Sequence, residues 1–165
     1  MADTKSLNDL FIENLRRAYD AEQRLVDALP ELRDAATSGE LKHAFQSHFE
    51  ETKVHVSRIE QIFERWDEEP QKEKCKSIEG TVDDAKYARN LDADPSVKDA
   101  ALIAAAQETE HVEIALYGTL RTWAAILVQN EAMAALEVTL EEEKAADELL
   151  TNIAATLNLR AAHAR

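Results

Sequence analysis

Apolar positions recur every three or four residues through nearly the whole chain, the period of an α-helix lying against a core. Four long stretches carry it. The first runs from Ser6 to about Ala36, with Phe11, Leu15, Ala18, Leu25, Val26 and Leu29 as its stripe; Ser6 is placed to cap it, with Asp9 three residues on. Pro30 lacks a backbone donor and is expected to bend or divide this helix. Thr37-Ser38-Gly39 is expected to end it, with Gly39 just past the cap. The second stretch covers Glu40 to Asp67 and stops at Glu68-Glu69-Pro70. The third begins at Asp94-Pro95, a capping Asp followed by Pro at the first helical position, and runs to about Val128. Its stripe is Ile103, Ala106, Ile114, Tyr117, Leu120, Ala124 and Leu127. After a tight Gln129-Asn130 connection, with Asn130 a candidate cap, the fourth runs from Glu131 to about Leu157. The tail from Asn158 to Arg165 is expected to fray.

Residues 70–94 form a crossover with a short helical pattern from Thr81 to Leu91, whose inner face is Val82, Ala85, Ala88 and Leu91. A connection of this length lets the second and third long helices run parallel. Three Gly and three Pro in 165 residues agree with a mostly helical chain. The fold class that follows is all-α, an up-down four-helix bundle with one long crossover carrying a short extra helix, in a single domain spanning residues 1–165.

The stripes are interrupted by ionisable residues. In His48-Phe-Glu-Glu-Thr-Lys-Val-His55, an advance of about 100° per residue puts His48, Glu51, Thr52 and His55 within one inward arc. Glu22, Glu110 and Glu143 interrupt the other three stripes, Asp147 follows Glu143 by one turn, and Gln107 and Glu113 flank Glu110. In an up-down bundle Glu22, Glu51, Glu110 and Glu143 meet at roughly one level, joined by His55 and Asp147. Like charges and burial each raise carboxyl pKa values, so such a layer does not stay ionised unaided. Two divalent cations would neutralise most of it, and a carboxylate-rich set with few His suits iron or manganese. The rival reading is a salt-bridged layer in a non-catalytic, dimeric helical interaction protein, with Arg58, Arg121 or Lys144 as partners. His48, Tyr117 and Tyr19 read as hydrogen-bonding neighbours of the layer. Glu108-Thr-Glu-His111 spells Glu-x-x-His, but Glu108 points away from Glu110, toward solvent; Glu110 is the expected ligand and His111 an outer or interface residue.

The formal charge of −14 argues against nucleic acid or an anionic membrane surface as a partner. The longest apolar run, Ala100–Ala106, is far short of the ~20 residues that span a bilayer. The single cysteine, Cys75, allows no internal disulfide, and the polar N-terminus lacks the apolar run of a signal peptide; together these predict a cytoplasmic protein.

Several words of the sequence resemble a known family. They are Leu-Arg-Arg-Ala-Tyr-Asp-Ala-Glu22, His-Phe-Glu-Glu51-Thr-Lys-Val-His55, Cys75 with Glu79-Gly80, Glu110-His-Val-Glu113 with Tyr117-Gly-Thr-Leu, and Leu-Glu-Glu-Glu143-Lys-Ala-Ala-Asp147. Together they resemble the ferritin-like superfamily and, within it, the YciE/YciF-type family of stress-associated bacterial proteins. The resemblance implies a ferritin-like bundle, a dinuclear metal site in its core, and a homodimer. By position it implies Glu22, Glu51, Glu110 and Glu143 as inward carboxylates, with His55 and Asp147 at the neighbouring ligand positions. The general ferritin-like pattern carries Glu-x-x-His on two helices. Here the spacings from Glu51 to His55 and from Glu143 to Asp147 are one residue longer, which makes Glu113 a substitute ligand. The function expected is a metal-binding protein holding two iron or manganese ions and reacting with oxygen or peroxide.

Overall fold

The computed structural model describes residues 4–164, which form five helices: α1 (Leu7–Ala35), α2 (Gly39–Arg65), α3 (Lys76–Arg89), α4 (Pro95–Ile126) and α5 (Asn130–Ala162). The four long ones are the predicted bundle, and α3 is the short helix in the crossover. Around the bundle axis the order is α1, α2, α5, α4, with α3 covering the α1/α4 side. Direction follows from one buried residue. Asp99, near the start of α4, accepts from Thr37 N, Thr37 Oγ1 and Ser38 N in the turn between α1 and α2, at 2.7, 2.7 and 2.8 Å. The starts of α2 and α4 therefore lie at the same end, and these two helices run parallel, as the long crossover led us to expect.

The helix starts follow local chemistry. Ser6 and Asp9 form a reciprocal capping box on α1, and Asp94 caps α4 ahead of Pro95. Other boundaries differ from expectation. Pro30 does not divide α1, which is continuous past it; Leu25, Leu29 and Leu32 are buried on both sides of it and hold the helix on the core despite the missing donor. Gly39 is not the residue that closes α1. Ala36 caps that end in an extended conformation, Ser38 caps α2, and Gly39 is the first residue of α2. Asn130 is likewise the first helical residue of α5 rather than its cap, which is Gln129. The turn before it turns left-handed at Val128, with φ of 60°. The short helix starts at Lys76, not Thr81, because Cys75 and Ile78 are buried and the Cys75 N–H is held by Asp20 Oδ2 at 2.9 Å. That anchoring outweighs the helix-weakening Gly80. The segment beyond Leu157 is helical to Ala162 rather than frayed, carried on by buried Ile153 and Leu157 and by Arg160 in its last turn.

Two apolar cores result. One, at the end of the α1–α2 turn, gathers Leu25, Leu29, Leu41, Phe45, Ile78, Leu102, Leu150 and Ile153; the other gathers Phe11, Leu15, Ile59, Phe63, Leu120, Leu136 and Leu140. Between them lies a layer of buried polar side chains. No helix among the described residues is long and apolar enough to cross a membrane.

Candidate metal centre

The layer is assembled by helical spacing. On α2, His48, Thr52 and His55 fall on one face at intervals of four and three residues, and the Thr52 hydroxyl closes back on the His48 carbonyl at 2.8 Å. On α4, Glu110 and Glu113 are one turn apart. Glu22 enters from α1 and Glu143 from α5. Glu22, Glu110, Glu113, Glu143 and His55 are each 3% exposed or less, and His48 is 7% exposed.

Their atoms interlock around Glu143. His55 Nδ1 lies 3.0 Å from Glu143 Oε1 and 3.4 Å from Glu22 Oε1. His48 Nε2 lies 3.3 Å from Glu110 Oε1 and 3.8 Å from Glu143 Oε2. Neither histidine is aligned as a hydrogen-bond donor to these oxygens, and the Nδ1 atoms of both stay unpartnered. The far side of His55 is fixed. Its Nε2 meets Glu142 Oε2 at 2.9 Å, and Glu142 is gripped by both terminal nitrogens of Arg58, which also reaches Thr139 Oγ1. Tyr117 donates its hydroxyl to Glu22 Oε1.

The oxygens left over are the most informative. Both carboxyl oxygens of Glu113, both of Glu143, Glu22 Oε2 and Glu110 Oε2 are buried without a hydrogen-bond partner. Buried polar atoms are ordinarily paired, because an unpaired one costs about 1–3 kcal/mol. Titration behaviour reflects the same crowding. Burial pushes Glu113 well above the carboxylate range and Glu110 up to about 8, with neighbouring carboxylates adding to both. Burial also raises Glu22, against the pull of His55. For the histidines burial opposes the charge, but Glu110, Glu51 and Glu143 raise His48 to about 9, and Glu143 with Glu22 raises His55 to about 11. By themselves these groups hold protons in place of compensating cations.

Among the described residues, two sets of donors could hold an ion, each with ligand atoms within 4.8 Å of one another: His48, Glu110, Glu113 and Glu143, and Glu22, His55 and Glu143. They share Glu143. Of the six residues singled out in the sequence, the structure thus gathers Glu22, His55, Glu110 and Glu143. Glu51 and Asp147 stand outside both sets. The Glu51 side chain is 45% exposed, with Oε2 3.6 Å from His48 Nδ1. Asp147 lies on the α4-facing flank of α5, accepting from Gln107 Nε2 at 3.1 Å, with His111 at 3.6 Å. In their stead come His48 and Glu113. The helical wheel carried that signal: Glu51 is the edge of the inward arc, about 60° from His48, whereas His48, Thr52 and His55 cluster at its centre. Glu108 is exposed and His111 sits at the surface, as the wheel indicated.

Fold and site together define the class: a four-helix bundle with a buried layer of carboxylates and histidines across its middle. The chain belongs to the family described as domain of unknown function DUF892, which matches residues 6–163. It is 42% identical over 151 residues to protein YciF of Escherichia coli strain K12, covering 91% of both chains. The crystal structure of that protein, described as a stress protein, matches with a TM-score of 0.90 at 41% identity, over 93% of this chain and 98% of the other. YcfI of Rhodopseudomonas palustris matches at 0.87 and 38% identity, over 91% and 96%. A protein from Xanthomonas campestris, at 0.75 and 17% identity over 93% and 94%, shares the fold.

Proposed function

We propose that the protein is a ferritin-like dinuclear metal protein of the stress-associated kind, holding two divalent ions, iron by preference and manganese as the alternative. The observation that carries this is the set of orphaned carboxyl oxygens in a buried layer. Four buried carboxylates and two neutral histidines balance two divalent cations. Four Glu and two His is also the donor inventory of ferritin-like di-iron sites, though there each His follows a Glu by three residues on two different helices. Here both histidines come from α2 and two of the carboxylates from α4. Glu143, common to both donor sets, would help to hold both ions. Glu142, fixed by Arg58, accepts from His55 Nε2 and thereby turns Nδ1 toward the centre. Tyr117 donates to Glu22 Oε1 and fixes that carboxyl group, leaving Oε2 without a hydrogen-bond partner. Bound there, two such ions would supply one-electron chemistry toward oxygen or peroxide. A salt-bridged structural layer is the weaker reading, because it leaves Glu113 with no partner.

The test is metal content. Protein stripped by chelator and loaded with ferrous iron without oxygen should retain about two ions per chain, and its melting temperature should rise. Less than half an ion per chain would overturn the proposal.

A further inference from the structure

A pocket of about 180 Å³ opens between α2 and α5, with Glu51 toward its exposed side, and ends at His48 and Glu110. It exists because small residues meet there. Ala44 of α2, Ala106 of α4, and Ala145 and Ala146 of α5 line it, where larger side chains would have closed the bundle. Its deeper walls are Leu25, Leu29, Phe45 and Leu150. Its inner end is not apolar: His48 Nδ1 and Glu110 Oε2, on side chains more than nine-tenths buried, line it without a hydrogen-bond partner.

We infer that this pocket binds a small neutral molecule with an apolar body the size of one ring and a single hydroxyl, its apolar part on the leucines and its hydroxyl at the His48–Glu110 end. Size sets the body, since an apolar cavity of about 150 Å³ accepts benzene. Unpartnered polar atoms set the head. One hydroxyl can pair with His48 Nδ1 and Glu110 Oε2 together, which toluene cannot, and a carboxylate would lose its hydration in a pocket walled mainly by leucine and alanine, so a fatty or aromatic acid is the wrong occupant. As the substrate pocket of the proposed metal centre, the assignment rests on that reading, because the same His48 and Glu110 face both.

The test uses the full chain, metal-free, titrated with p-cresol, toluene and benzoate and followed by amide NMR shifts of pocket residues. The p-cresol should bind about tenfold more tightly than either comparator, the contribution of one hydrogen bond. Ala146→Phe fills the cavity and should abolish p-cresol binding. Ala145→Trp blocks the exposed mouth without entering the core and should do the same. Equal affinity for all three compounds, or p-cresol binding untouched by both substitutions in folded protein, overturns the inference. Iron uptake is measured on the same samples. Uptake without p-cresol binding overturns this inference alone. Binding of p-cresol that is lost in both variants, in protein that takes up no iron, supports the pocket and overturns the metal centre.

Discussion

Replacing Glu113 by leucine should pull stability and metal binding in opposite directions. Glu113 is fully buried on α4 and neither carboxyl oxygen has a hydrogen-bond partner. Removing that unsatisfied group relieves a penalty of about 1–3 kcal/mol. Leucine has a different shape, and the imperfect fit returns about 1 kcal/mol of that gain. Metal-free Glu113→Leu should therefore be at least as stable as the natural chain and more stable by up to about 2 kcal/mol, which for this length is up to about 4–8 °C in melting temperature. With metal the order reverses. A divalent ion at a hundredfold excess over its dissociation constant stabilises by about 2.7 kcal/mol per site. The natural chain should gain that at both donor sets, whereas the variant loses one ligand of the set formed by His48, Glu110, Glu113 and Glu143. Urea denaturation of chelated and metal-saturated protein reads both effects. A variant that is less stable than the natural chain without metal would show that Glu113 has a partner in the buried core. A variant with the full metal-induced gain would show that it is no ligand. Either result refutes the reasoning.

Two further outcomes follow from the same layer. His48, at about 9, and Glu110, at about 8, bind protons more tightly in the folded chain than at their ordinary values of 6.5 and 4.5. The stability they contribute is complete below those ordinary values and is lost as pH climbs through about 8 and 9, so metal-free melting temperature should fall between pH 6 and 9. Saturating metal, which replaces the protons, should flatten the fall; scanning calorimetry that shows a flat or rising metal-free profile counts against protons held in the layer. Glu142→Gln removes the charge that holds both Arg58 and His55 Nε2. Metal affinity measured by titration calorimetry should drop about 10–100-fold; a change under about threefold would mean that His55 needs no such support.

Much of this protein was legible in its sequence. Period and caps were enough for the bundle: the Ser6–Asp9 and Asp94-Pro95 caps act over a few residues and appear where they were expected, and the length of the crossover alone lets α2 and α4 run parallel. Glu22, His55, Glu110 and Glu143 were legible for a similar reason, since an ionisable group at the centre of an apolar stripe has one direction to point. Their gathering into one layer, and the family relationship, agree with that reading. Tertiary structure decided the rest. Whether Glu51 or His48 faces the centre turns on about 60° of helix rotation, which the neighbouring helices set. Whether α1 passes Pro30 unbroken, and whether α3 starts at Lys76, depends on buried contacts with residues distant in sequence. The alanine-lined pocket belongs wholly to the packed state, because Ala44, Ala106 and Ala146 are unremarkable on their own helices and form a cavity only where three helices meet. Local periodicity fixes which side of a helix is inward; only packing fixes what it faces once there.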